Sequence, residues 1–130
     1  MSVYLARLPA RDARHPLLRP SRERFRFAGS WSVRLRGAGH HVNHVHSTAW
    51  ISSAFYVTTP DAIALEGGAG PGWLTFGAPP KSLDLNLEPF RALAPLPGRL
   101  VLFPSTLWHG TVPFSEGERL TVAFDVVPVR

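Results

Sequence analysis

From Ser30 onward the chain alternates apolar and polar residues in short runs broken by glycine and proline, with no sustained helical spacing. Trp31-Ser-Val-Arg-Leu-Arg36 alternates cleanly and stops at Gly37. The same reading marks strands at His41–His46, Ile51–Val57, Trp73–Phe76, Phe90–Ala94, Arg99–Phe103, His109–Pro113 and Arg119–Val127. Arg99–Phe103 and Arg119–Val127 are the most continuously apolar and so read as buried strands. Eight short antiparallel strands in two facing sheets describe an all-β jelly roll with a pocket at one mouth. Residues 1–29 are broken by Pro9, Pro16 and Pro20 and read as an extended arm with one short helical turn. The chain therefore divides into an arm, 1–29, and a β domain, 30–130. Glu66–Gly72 reads as a flexible hairpin connection, because it lacks the Gly-Lys-Ser/Thr ending of a phosphate-binding loop. In the irregular connection 77–89, Leu83, Leu85 and Leu87 alternate and are expected to pin the loop to the body.

Side-chain parity points to one chemical face. If residues 41–46 form a strand, His44 and His46 share a face with Val42 and His40, while His41 falls opposite. Two imidazoles on one strand face suit a metal ion such as iron, zinc, copper or nickel, and a third ligand can come from the isolated His109. His40 and His41 are expected at the strand entrance, on the surface or behind the ligands. On the next strand Ser52, Ala54 and Tyr56 form a pocket wall, and Ile51, Ser53, Phe55 and Val57 face another layer. On the last strand Arg119, Thr121 and Ala123 share a face against Leu120, Val122 and Phe124. A buried arginine is costly unless it meets an anion, and its forked guanidinium beside a hydroxyl suits a carboxylate. Trp31, Trp50, Trp73 and Trp108 read as core and pocket lining.

Composition narrows the chemistry. The chain has 130 residues and no cysteine, which excludes disulfides, thiol catalysis and thiolate metal sites. Its net charge of +5 is unevenly spread. Residues 1–36 carry nine arginines against Asp12 and Glu23, a local +7, and the remainder is acidic. No nucleic-acid fold motif accompanies these arginines, so they read as a solvated surface and nucleic acid is not an expected partner. No apolar run has the length of a signal peptide or a membrane span, and a cytoplasmic protein without membrane contact is expected. A hydrolase built from Ser105, His109 and Asp125 has the residue types but no Gly-x-Ser-x-Gly elbow.

Three stretches together carry a family resemblance: Gly29-Ser-Trp-Ser-Val-Arg-Leu35; His41–His46 with Trp50–Val57; and Gly98–Pro113 with Glu118–Asp125. They resemble the 2-oxoglutarate- and Fe(II)-dependent oxygenase family over residues 29–127, most specifically in Phe-Pro-Ser…His…Val-Pro…Arg-x-Thr. The resemblance implies a double-stranded β-helix holding iron by His-x-Asp/Glu and a distal histidine. It makes His44 the first ligand, His109 the distal one, and Arg119 with Thr121 the clamp on the far carboxylate of 2-oxoglutarate. Tyr56 matches a tyrosine that hydrogen-bonds the same carboxylate. His46 is the departure, standing where the wider superfamily usually has a carboxylate. Three neutral imidazoles leave the metal's charge uncompensated by ligands, although 2-oxoglutarate brings two negative charges.

The expected function is therefore a dioxygenase that hydroxylates an unidentified small molecule or peptide, with release of succinate and CO2. The alternative is a non-catalytic, cupin-like module that binds metal or ligand, from which Arg119 would distinguish it. Members of this family can carry helical repeats upstream. A short form would leave Val122 and Phe124 partly exposed and able to drive a homodimer.

Overall fold

A computed structural model describes residues 1–37, 39–60 and 68–129 of the chain. A short helix, α1 (Ser2–Ala6), precedes strands β1 (Phe25–Arg36), β2 (Ile51–Thr58), β3 (Leu74–Phe76), β4 (Arg91–Leu93), β5 (Leu100–Pro104), β6 (His109–Thr111) and β7 (Glu118–Pro128). A single 3-10 turn spans Lys81–Leu83. The strands form a four-stranded sheet in the order β1-β7-β2-β5 and a three-stranded sheet in the order β4-β3-β6, with every pairing antiparallel. This is the expected all-β, double-stranded β-helix. The eighth position is filled by residues 41–46, an extended segment that meets β6 through one bridge, His44 to His109.

The interior between the sheets is filled by Tyr56, Leu74, Phe76, Val101 and Phe103, with Ala54, Leu93 and Leu107 at its margin. Register explains why these side chains meet. Tyr56 lies opposite Thr121, and Thr121 lies opposite Val33, so one rung of the large sheet presents all three inward. Ser52 lies opposite both Asp125 and Phe103 on another rung.

A second core lies on the outer face of the large sheet, where Leu5, Trp50, Ile51 and Val126 are buried among Tyr4, Leu8, Leu17, Phe25 and Phe124. The arm is therefore packed, folding α1 back over that end of the sheet. Trp50 Nε1 donates to the Leu17 carbonyl at 2.8 Å, and the Arg22 guanidinium donates to the carbonyls of Leu5, Leu8 and Pro9. Arg22 thus ties the last turn of α1 and the residues just after it to the chain leading into β1. Further along, Arg34 and Arg36 both pair with Glu118.

Three expectations are corrected. Residues 25–29 belong to β1, because Phe25 to Phe27 already pair with Val126 to Pro128. Leu83, Leu85 and Leu87 are exposed, and the loop is held instead by backbone bonds such as Phe90 N–H to the Phe76 carbonyl at 3.0 Å. Residues 41–46 are too irregular for one strand parity: Val42, expected inside, is 68% exposed. Of the Glu66–Gly72 connection, Glu66 and Gly67 lie outside the described residues.

Since Leu5 is almost fully enclosed, Leu5→Ala should lower unfolding free energy by about 2–4 kcal/mol. Urea denaturation measures this; a change under about 0.5 kcal/mol would place the arm outside the cooperative unit.

Candidate active site

The segment 41–46 is laced to β6 and the turn before it. His44 N–H donates to the His109 carbonyl at 2.9 Å, and His109 N–H returns a bond to His44 at 3.0 Å. His46 N–H donates to the Ser105 carbonyl at 2.9 Å, and Thr111 N–H to the His41 carbonyl at 3.0 Å. Gly110 allows this approach: a Cβ there would collide with the Asn43 side chain and come within 2.9 Å of the His41 carbonyl. Asn43 is fixed in turn by its amide bond to the Pro79 carbonyl at 3.2 Å.

Each imidazole has its outer nitrogen committed. Nδ1 of His44 faces the Val42 carbonyl at 2.7 Å, and Nδ1 of His109 faces the Leu107 carbonyl at 2.9 Å. A carbonyl only accepts, so both Nδ1 atoms carry the proton. Nδ1 of His46 lies 2.8 and 2.9 Å from the two Asp125 oxygens and likewise donates. In the neutral rings the three Nε2 atoms are then lone pairs. Those of His44 and His46 are 3.1 Å apart, and the three histidines have ligand atoms within 4.8 Å of one another. Facing lone pairs repel unless they share a cation. A proton serves two nitrogens at once, whereas a metal ion can serve all three.

Beside this cluster, one cavity of about 70 Å³ is lined by His41, His44, His46, His109, Tyr56, Arg119 and Thr121. Arg119 is 2% exposed, and its guanidinium carbon lies 5.8 Å from the Tyr56 ring centroid. One guanidinium nitrogen donates to the Gly72 carbonyl at 3.0 Å. Arg119 Nε, Tyr56 Oη and Thr121 Oγ1 are buried and have no hydrogen-bond partner among the described residues. Leaving even one such group unsatisfied costs about 1–3 kcal/mol. Three donors open toward one cavity fit an anionic ligand.

Residues 29–125 match the family described as "Putative 2OG-Fe(II) oxygenase". The chain belongs to that family. No curated protein matches it by sequence. Among solved structures, a 2OG-Fe(II) oxygenase family oxidoreductase from Burkholderia pseudomallei superposes with a TM-score of 0.61 at 11% identity. The match covers 84% of this chain and 48% of that one. HygX from Streptomyces hygroscopicus, solved with iron bound, gives 0.54 at 13% identity over 81% of this chain and 59% of that one. These likenesses show the fold, and this chain spans roughly half the length of the two structures.

The cavity of this 2OG-Fe(II) oxygenase family member fits Fe(II) and 2-oxoglutarate: nitrogen lone pairs converge at one end, and open donors line the other. All six expected residues, His44, His46, His109, Tyr56, Arg119 and Thr121, line it. Two others were missed. His41 also lines the cavity, because three residues (41 to 44) span the same pairing as two on β6 (111 to 109). That extra residue reverses the side-chain alternation. Asp125 emerges as the partner of His46; extending the Arg119-Thr121-Ala123 parity by one step would have found it. The Ser105–His109–Asp125 grouping does not form, since Ser105 bonds Ser52 at 2.8 Å and Asp125 bonds His46. No helix among the described residues is long and apolar enough to cross a membrane.

Burial sets the protonation of the site. It lowers His109 to about 4, helped by His44 and His46 and opposed by the Leu107 carbonyl. Burial, then Arg119, lowers His41, and burial raises Tyr56 despite Arg119 and Arg99. At neutral pH the cavity therefore offers neutral His109 and His41 and a protonated Tyr56 hydroxyl.

For His109 the unfolded chain binds a proton more readily than the folded one. Its contribution is complete above about pH 6.5 and is lost as pH falls toward 4. Protein prepared without metal should thus lose on the order of 3 kcal/mol across that window, read as a falling Tm. His109→Gln should flatten the profile; an equally steep fall would assign the proton elsewhere.

Proposed function

We propose that this domain is a 2-oxoglutarate- and Fe(II)-dependent dioxygenase that hydroxylates an organic substrate. Bound Fe(II) and 2-oxoglutarate, with oxygen, supply the oxidising power, and the cosubstrate leaves as succinate and CO2. The observation that carries this reading is the single cavity holding three convergent imidazole nitrogens and three unpartnered buried donors. A metal store has no use for the second set, so the non-catalytic module is not favoured.

In this reading His44, His46 and His109 hold the metal through Nε2, their Nδ1 protons keeping each ring turned inward. Arg119 and Thr121 grip the far carboxylate of 2-oxoglutarate, and the Tyr56 hydroxyl donates a further bond. Gly72 and the Tyr56 ring hold the guanidinium at its station. Leu74 and Phe103 line the same cavity and keep water from the reacting centre.

The substrate, a small molecule or a peptide, meets an apolar mouth formed by Trp31, Val33 and Val42 beside His40 and His41. A wider cleft of about 610 Å³ adjoins it, with Val42, Pro80, Lys81, Pro89 and Pro113 on its walls. That cleft suits an extended apolar group.

His44→Ala should abolish retention of Fe(II) in the anaerobically purified protein, and unchanged iron content would identify another ligand set. Arg119→Ala should leave the metal in place while weakening 2-oxoglutarate by about 30- to 5000-fold, the equivalent of ~2–5 kcal/mol for a broken buried charge pair. Thr121→Ala should cost about 1 kcal/mol. Titrating 2-oxoglutarate into the Fe(II) protein without oxygen, and following the metal-to-ligand absorption, measures both. No such absorption in the wild-type protein at millimolar 2-oxoglutarate would remove the oxygenase reading; equal affinity in Arg119→Ala would remove only the clamp.

A further inference from the structure

The position where the wider superfamily usually has a carboxylate ligand holds His46, yet a carboxylate is not missing from the site. Asp125 on β7 places both oxygens within 2.9 Å of His46 Nδ1. The two side chains are 20% and 15% exposed, so the contact is largely shielded from water. Ser52, fully buried, donates to Asp125 Oδ1 at 2.6 Å and accepts a 2.8 Å bond from the equally buried Ser105. Register fixes this arrangement, because Asp125 pairs with Ser52 on one side and Gly29 on the other. A carboxylate enclosed to this degree is expensive unless it is bonded and faces positive charge.

We propose that Asp125 is the displaced carboxylate of the metal centre, acting through His46 as a positioning residue. This rests on the metal reading of His44, His46 and His109. Asp125 fixes the His46 tautomer with Nε2 free, makes that nitrogen a stronger donor, and supplies from behind the ring the negative charge that three imidazoles lack. Ser52 holds the carboxylate directly, and Ser105 holds Ser52 in turn. Asp125 touches neither cosubstrate nor reacting atoms.

The test compares wild type, Asp125→Asn and the double variant His46→Asp/Asp125→Asn, each prepared anaerobically. Fe(II) affinity is read by competition with a chromophoric chelator, and the visible spectrum of the Co(II)-substituted protein reports the ligand field. Asp125→Asn should bind Fe(II) about 10- to 100-fold more weakly, with an altered Co(II) spectrum. The double variant should recover affinity toward wild type, since its carboxylate now sits in the ligand position. Wild-type affinity in Asp125→Asn would overturn the proposal. So would a double variant no tighter than the single one, which would reduce Asp125 to packing. If Asp125→Asn does not fold, Ser52→Ala carries the test: a several-fold weaker affinity supports the proposal and an unchanged one overturns it. Failure of the wild-type protein to bind Fe(II) at all would instead overturn the metal reading on which this one rests.

Discussion

Two reciprocal backbone bonds between His44 and His109 hold the site together. They bring the histidine-rich segment, which is not a strand in its own right, onto the edge of the small sheet. With the two backbones locked, the rings lie 4.3 Å apart between centroids, and His46 follows two residues on with its ring 5.1 Å from that of His44. The bridge needs Gly110 beside it and Asn43 anchored across it, so its cost is spread over a small set of side chains. Bonds from His46 to Ser105 and between His41 and Thr111 fix its two ends, and a Cβ at residue 110 would drive into Asn43 and the His41 carbonyl between them.

The other half of the site hangs on β7. Its inward row, Arg119, Thr121, Ala123 and Asp125, runs past the cavity from end to end, flanked by β1 and β2. Small Ala123 leaves the middle of the row open, while the charged residues stand at its two ends. The outward row of the same strand does different work, with Val126 and Phe124 closing the second core under the arm. One strand thus joins stability on one face to chemistry on the other. The arm covers only part of the outer face: Phe55, Val57, Leu100 and Val122 remain at least one-third exposed.

Much of this was legible in the sequence because a period of two is a strong signal wherever strands are regular. The interior face of β2, the row on β7 and the isolation of His109 all follow from counting residues by twos. Reading failed where backbone irregularity broke that count. The extra residue between His41 and His44 turned His41 inward and Val42 outward, and nothing in His-Val-Asn-His announces it. The leucines at 83, 85 and 87 alternate like strand residues but have no facing sheet, so alternation alone misled. The arm was misjudged for a related reason. Its prolines do forbid long elements, but five residues of helix and one guanidinium on three carbonyls are enough to seat Leu5.

Charge accounts for why the pieces are the residues they are. No carboxylate lines the cavity among its described residues, and Arg119 is a permanent cation inside it. Neutral His41 and His109 add nothing at neutral pH, burial having suppressed their protonation. A divalent metal on three imidazoles adds two further positive charges, and Asp125 behind His46 returns one negative. The balance near the cavity is then +2, which matches the two negative charges of 2-oxoglutarate. Had the second ligand been a carboxylate with Asp125 still in place, the balance would fall to +1 and the cosubstrate would be held against a deficit. Moving the single carboxylate from the ligand position to the far side of an imidazole preserves that balance.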